Sequence, residues 1–359
     1  MDTIINNILE KPLYSLNQEE YKELRSYACH FTDSLNEKQW VQVIIRAFDE
    51  VQQKEGKKEA LDLIRSAYSE LEKTFPQLFE EKSRLLKREC MFCLKENDDS
   101  EAFKSMGRFL YNALAQVHYC AKNARMPYYS FRGFSDYSLD DIKNETISLA
   151  HPREFNDPLD TIMAYWLDER IKRNSKDELE LRYRLLMKKV AEHIKIRCLI
   201  AGKKDDGTDI PIEDLNVLMW AHYADSHRGF CVKYFFEDEL FDRRKSVNSE
   251  KILLIDRIRY VESIKLDNEP SIKTALLEKS DFWKDENEMR LISFDYSGKD
   301  KDFPTVECKG AAKAIYLGAR CSDSDRRKME KAIGDKNILL YKMSIDESKL
   351  TRFKATLIG

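Results

Sequence analysis

Pro127-Tyr128-Tyr129-Ser130-Phe131-Arg132-Gly133-Phe134 is where the chain changes character. Tyr128 to Arg132 is a short aromatic-rich run bounded by Pro127 and Gly133, the signature of a strand. On its N-terminal side, residues 1–125 read as helix almost throughout. Ser34-Leu35-Asn36-Glu37 has the pattern of a capping box, opening a segment with Trp40, Ile44, Ala47 and Val51 on one stripe. Leu61, Ile64, Tyr68 and Leu71 repeat the helical spacing, and Pro76 stops that helix. Phe103, Met106, Leu110, Ala113, Leu114 and Val117 form a third stripe. No strand-like alternation interrupts them and no fixed period marks a repeat array. An all-α bundle or short solenoid over 1–125 is predicted, with recognition, regulation or oligomerisation as its role.

On the C-terminal side the pattern is mixed. Strands are predicted at Tyr128–Arg132, Thr146–Ala150, 196–201, 229–236, 256–261, 291–296, 313–317 and 338–344. Helices are predicted at Ser138–Ile142, from Pro158 through Trp166, near 178–195, near 270–282 and at Asp323–Ile333. Residues 126–359 therefore form a mixed α+β domain. At 359 residues the chain has ample length for two cores.

Bulk composition excludes several classes. Lys and Arg number 61 against 64 Asp and Glu, so the near-neutral balance gives no global sign of a nucleic-acid binder. Basic runs such as Arg243-Arg244-Lys245 and Arg326-Arg327-Lys328 are flanked by acids and read as solvated faces. No apolar run approaches the roughly 18 residues a membrane span needs. No basic-then-apolar leader is present either, so a cytoplasmic protein without membrane contact is expected. The eight cysteines are scattered among apolar neighbours. Cys90-Met91-Phe92-Cys93 has metal-type spacing but no second pair or nearby histidine, so no metal site is predicted.

Three blocks carry chemistry. Phe155-Asn156-Asp157-Pro158 places Asp157 to cap a helix with Pro158 at its first position, or presents Asn156 and Asp157 at a ligand turn. Met219-Trp220-Ala221-His222-Tyr223-Ala224-Asp225-Ser226-His227-Arg228-Gly229-Phe230 is dense in polar-tipped rings. It reads as a helix ending at Gly229, with Trp220, His222 and Tyr223 as the wall of a pocket for a flat ring. Phe282-Trp283-Lys284-Asp285-Glu286-Asn287-Glu288-Met289-Arg290 precedes the strand Leu291-Ile292-Ser293-Phe294. Strand alternation would set Glu286 and Glu288 on one face, where two carboxylates need a cation, a proton or a ligand hydroxyl. Serine-hydrolase elbows and phosphate-cradling Gly-rich loops are absent.

In this order the blocks resemble the uncharacterised bacterial domain family numbered 2971, over about residues 128–296. The family name implies no activity. A second resemblance is to ADP-ribosyltransferases, which carry a first-strand arginine or histidine, a middle-strand serine or tyrosine and a late glutamate. Arg132, then Ser148 or His151, then Glu288 with Glu286 two residues before it follow that order; Ser148-Leu149-Ala150 departs from the usual Ser-Thr-Ser. The resemblance implies that NAD is the substrate and that ADP-ribose goes to a macromolecular acceptor, protein or nucleic acid. It makes Glu288 and Glu286 catalytic and gives cofactor binding to Arg132, Ser148, His151, Asn156, Trp220, His222 and Tyr223. By analogy with bacterial relatives of that fold, it implies a toxin or phage-defence effector, with a protein partner for the N-terminal helices. The alternatives are a divalent-metal nuclease using Asp157, Asp160 and the glutamates, or a non-enzymatic nucleotide-sensing adaptor.

Overall fold

The computed structural model describes residues 3–31, 35–120, 126–155, 157, 160, 177–204, 206–241, 251–263, 276–295, 305–348 and 352–359. The chain divides into two compact units, Met1–Tyr119 with Arg173–Val190, and Cys120–Lys172 with Ala191–Gly359.

The first unit is helical: α1 (Thr3–Glu10), α2 (Gln18–Cys29), α3 (Glu37–Lys54), α4 (Lys57–Thr74), α5 (Phe79–Lys95), α6 (Asp99–Cys120) and, numbered in chain order, α8 (Glu178–Ala191). The cap of α3 is Asn36 rather than Ser34. Its side chain accepts from the Gln39 N–H at 2.9 Å while Gln39 accepts from the Asn36 N–H at 3.0 Å, a reciprocal box shifted two residues along. Trp40, Ile44, Ala47 and Val51 are all buried, as are Leu61, Ile64, Tyr68 and Leu71. In the third stripe Phe103, Met106 and Leu110 are buried, while the side chains of Leu114 and Val117 lie outside the described residues. Helix α8 joins this unit although the change of sequence pattern suggested a boundary near 125. Arg182 donates to Asn97 and Asp99, both at 3.0 Å, and Lys189 lies 5.8 Å over the Phe103 ring.

The second unit is α+β. Its strands are β1 (Tyr128–Arg132), β2 (Thr146–Ser148), β3 (Ile194–Ala201), β4 (Phe230–Tyr234), β5 (Lys251–Arg257), β6 (Arg259–Val261), β7 (Glu278–Ser280), β8 (Glu288–Asp295), β9 (Thr305–Glu307), β10 (Ala312–Leu317), β11 (Leu339–Ile345) and β12 (Phe353–Leu357). Its helices are α7 (Asp136–Asn144), α9 (Val217–Tyr223) and α10 (Asp323–Ile333). Eight strands make one mixed sheet in the order β12-β11-β10-β4-β1-β3-β8-β5. All neighbours are antiparallel except β10 and β11, which α10 joins as a crossover. Two minor ladders pair β2 with β9 and β6 with β7.

Strand alternation divides the residues between two faces. Tyr128, Leu199, Val232, Met289, Leu291 and Ile315 form one core, closed by Ile142 of α7 and Met329 of α10. Tyr129, Ile200, Cys231, Tyr316 and Met343 point the other way and pack with Met219 and Trp220 of α9. Strand β8 is buried on both faces up to Ser293 and Phe294, as a central strand must be. Of the described part of the predicted helix near 270–282, Leu276 and Leu277 are helical but the rest is not. Glu278–Ser280 is β7 and Asp281–Glu286 is a 3-10 turn. The predicted helix from Pro158 lies outside the described residues. Strand β12 was not anticipated, because its polar-rich run pairs only with β11 at the sheet edge.

One feature of β1 shapes the site. All five of its residues pair with β4, but only Tyr128 and Tyr129 pair with β3, opposite Ala201 and Ile200. Beyond that point β3 bonds to Ala150 instead, through Ile196, at 2.8 and 2.9 Å. The sheet splits between β1 and β3.

The segment after α9 is fixed by backbone geometry. Asp225, Ser226 and His227 all hold positive φ, at 46°, 52° and 68°. The chain then passes so close to its neighbours that a Cβ at Gly229 would lie 2.1 Å from the Arg132 carbonyl oxygen. A Cβ on Gly318 would meet the His227 carbonyl at 2.2 Å. Gly229→Ala is therefore expected to lose about 1–3 kcal/mol of stability, read as a lower urea midpoint at unchanged m-value; an unchanged midpoint would show that β1 and β4 can separate freely.

Candidate active site

The site is built from the residues around β8. Glu286 is not on a strand: it ends the 3-10 turn, Asn287 follows in the left-handed conformation at φ 48°, and only Glu288 begins β8. The two carboxylates nonetheless converge, because both reach Lys279 of β7. The Lys279 ammonium lies 2.8 Å from Glu286 Oε2, 3.0 Å from Glu288 Oε2 and 3.3 Å from Asp160 Oδ2. Arg290 Nε donates to Glu288 Oε1 at 2.8 Å, and its Nη2 pairs with Asp160. Tyr223 donates its hydroxyl to Glu286 Oε1 at 2.7 Å. Three carboxylates thus meet two cations, leaving one excess negative charge, and all five side chains are buried.

Such a cluster must be satisfied on every side, since burial penalises each charge. Arg290 also donates from Nη1 to the Leu276 carbonyl at 2.7 Å and lies over the Phe155 ring at 5.4 Å. Lys279 stands 5.0 Å from the centre of the Trp283 ring. The backbone N–H of Glu288 donates to the Tyr260 hydroxyl at 2.8 Å. Burial alone would raise the Glu288 pKa. Arg290 and Lys279 overcome it and bring the carboxyl down from 4.5 to about 2. Burial likewise opposes the Lys279 ammonium, yet Glu288, Asp160 and Glu286 hold its pKa above the usual lysine value.

The cluster forms one wall of a cavity of about 370 Å³. Phe131 and Tyr129 from β1, Phe155, Met219 and Tyr223 supply apolar and aromatic surface, and His222 stands at its edge, exposed. Cys198 is deep in the unit yet open to the cavity. Desolvation there, then the Glu288 charge, raises its thiol pKa well above the usual value, so it stays protonated. The cavity can take a flat ring against its aromatic wall and hydroxyl or cationic groups against the carboxylates.

The remaining sequence candidates lie elsewhere. Arg132 projects from β1 to the opposite sheet face, where Nη1 pairs with Asp141 at 2.6 Å. Asp141 also accepts from the Ser148 N–H at 3.0 Å and the Ser148 hydroxyl at 2.8 Å. Arg132 and Ser148 are thus brought together, but apart from Glu286 and Glu288. His151 caps the turn Pro152–Glu154, its Nδ1 accepting from the Arg153 N–H at 3.0 Å. Asn156 lies outside the described residues. Trp220 is buried in the core, edge-on to Phe131 at 4.9 Å and stacked on His227 at 6.4 Å, behind the wall that Met219, His222 and Tyr223 form. Cys90 and Cys93 are buried in α5, where desolvation pushes the Cys93 thiol up to about 12. Lys279, the centre of the cluster, went unread: it stood among other lysines in a stretch read as helix.

No family model, curated protein or solved structure matches the chain. Among the described residues no helix is long and apolar enough to cross a membrane.

Glu288 gives the cluster a pH signature. Its folded pKa lies below its unfolded value, so its stabilisation is complete above about 4.5 and is lost as pH falls toward about 2. The size of the shift corresponds to about 3 kcal/mol. Glu288→Gln should lower stability at neutral pH by about that amount and flatten the acid limb of a stability–pH curve. An acid limb parallel to that of the wild type would remove Glu288 as the titrating group.

Proposed function

We propose that the second unit is an NAD-dependent ADP-ribosyltransferase whose cavity receives the nicotinamide riboside part of NAD. The observation that carries this reading is the excess negative charge of the Asp160–Glu286–Glu288 cluster, placed against an aromatic-walled cavity. Nicotinamide in NAD is a cationic flat ring, and the transition state for its loss develops positive charge on the ribose, as in glycoside transfer. A fixed anionic wall stabilises both, and more so out of water.

The residues take the following roles. Phe131 and Tyr223 offer ring surface to nicotinamide. Glu288, locked in ionised form by Arg290 and Lys279, supplies fixed charge rather than proton transfer. Glu286, held by Tyr223 and Lys279, is placed to accept a proton. The C1′–N bond breaks with its electron pair going to nicotinamide, which leaves neutral. The acceptor's nucleophilic atom bonds to C1′ and gives its proton to Glu286. The acceptor would be a macromolecule, as in a bacterial toxin or phage-defence effector.

Two observations bear on the rivals. The Lys279 ammonium already occupies the point on which the three carboxylates converge, where a divalent-metal nuclease would need its ion, and among the described residues no group of three His, Cys, Asp or Glu is arranged to hold one. The adaptor reading draws support from Glu286 and Glu288 together, since both oxygens of each are already engaged, as befits a binding site that does no chemistry.

Nicotinamide release from labelled NAD, with cell lysate as acceptor source, separates these readings. Glu286→Gln can keep its hydrogen bonds, so it should fold with a Tm close to wild type and lose about a hundredfold or more in rate. NAD binding without release in either protein would move the assignment to the adaptor. No NAD binding to the wild type would end both.

A further inference from the structure

The charge of the cavity lining decides which part of a ligand it can hold. Asp160, Glu286 and Glu288 share Lys279 and Arg290, which leaves one negative charge in excess. Glu154 lines the same cavity, is exposed, and adds a carboxylate that no described residue neutralises. A phosphate needs charge-assisted donors, from a lysine or an arginine above all. Lys279 is taken up, with three carboxylate oxygens within 3.3 Å of its ammonium. Arg197 stands opposite Leu291 in the ladder, on the sheet face away from Glu288, and its Nε and Nη2 are buried. Among the described residues the cavity thus offers a phosphate no free ammonium or guanidinium, and it opposes one with carboxylates.

Its size points the same way. About 370 Å³ lies near the lower end of the roughly 300–1,000 Å³ usual for ligand pockets. That is room for a flat ring and a pentose, not for a dinucleotide. A cation bearing hydroxyls is what the lining satisfies. Phe131, Phe155 and Tyr223 supply aromatic surface, which attracts a cation. A carboxylate has about four acceptor sites. Glu286 uses two of them, for Tyr223 and Lys279, and the others are available to ribose hydroxyls.

We propose that the cavity is a site for a phosphate-free pyridinium nucleoside, and that the diphosphate and second nucleoside of NAD add nothing to binding there. The choice of a pyridinium ring rests on the NAD reading; the preference for a cation without phosphate rests on the lining alone.

N1-methylnicotinamide and nicotinamide differ in ring charge, and neither has a ribose bond to cleave. Calorimetry on the full chain should show the methylated cation binding tighter than the neutral amide by about tenfold or more. Glu286→Gln removes one charge and should erase most of that difference while leaving nicotinamide affinity unchanged, which a merely structural role would not do. Equal binding of the two amides by the wild type would overturn the proposal, whether or not the variant folds. Nicotinamide riboside and NAD, each displacing N1-methylnicotinamide, test the phosphate. The riboside should act at a concentration equal to or below that of NAD. NAD acting at about a tenfold lower concentration would overturn the proposal and keep the NAD reading. Riboside binding without any NAD binding would keep the nucleoside site and end the NAD reading.

Discussion

The ammonium of Lys279 is the point on which the second unit's chemistry converges. Three carboxylates within 3.3 Å of it come from separate parts of the chain: Asp160, Glu286 at the end of a 3-10 turn, and Glu288 at the start of β8. Without a shared cation these groups could not be buried together in ionised form. Arg290 closes the arrangement by pairing with two of them and with the Leu276 carbonyl. A buried network of this kind is weak evidence for stability, because desolvation opposes the attraction. Its stronger consequence is positional: each member is held from more than one side, so the carboxylate wall of the cavity is preorganised before any ligand arrives.

That wall would face packed protein if the sheet were continuous. Strand β1 pairs along its whole length with β4 but leaves β3 after two residues, and β3 turns to Ala150 for its next bonds. The cavity sits at this divergence. The close passage of Gly229 against the Arg132 carbonyl, and the three left-handed residues before it, hold α9 and the start of β4 against β1. Met219 and Tyr223 are thereby presented to the cavity while Trp220 goes into the core. The density of rings in that motif thus has two causes, since one helical turn must serve a core and a cavity.

Much of the architecture was legible from periodicity. The change at Pro127, the strand Tyr128–Arg132, the helix Asp323–Ile333 and the buried helical stripes follow directly from apolar spacing. The meeting of Glu286 and Glu288 was legible too, though for an inexact reason: the carboxylates converge through Lys279 and not through strand alternation. What the sequence hid was everything decided by pairing between distant segments. Lys279 and Asp160 carry no local pattern. Arg132 and Arg197 look equivalent as isolated arginines. Only the sheet register shows that both lie on one face of the sheet and that Asp141 pairs with the first. Helix α8 was likewise placed by its partners in α5 and α6, which no single-segment reading supplies.

The contrast between those two arginines sets out how charge is used in this unit. Arg132 is neutralised by an aspartate that also binds a hydroxyl and a backbone N–H of β2, so it ties β1 to α7 and β2. Arg290 is neutralised twice and ties β8 to Asp160 and Glu288. Arg197 alone of the three carries buried donors without an acceptor. Stability would favour replacing it with an apolar side chain. Asp141 makes the difference between the first and the third: it lies on the sheet face that both arginines share, and it is taken up by Arg132 and by Ser148 of β2.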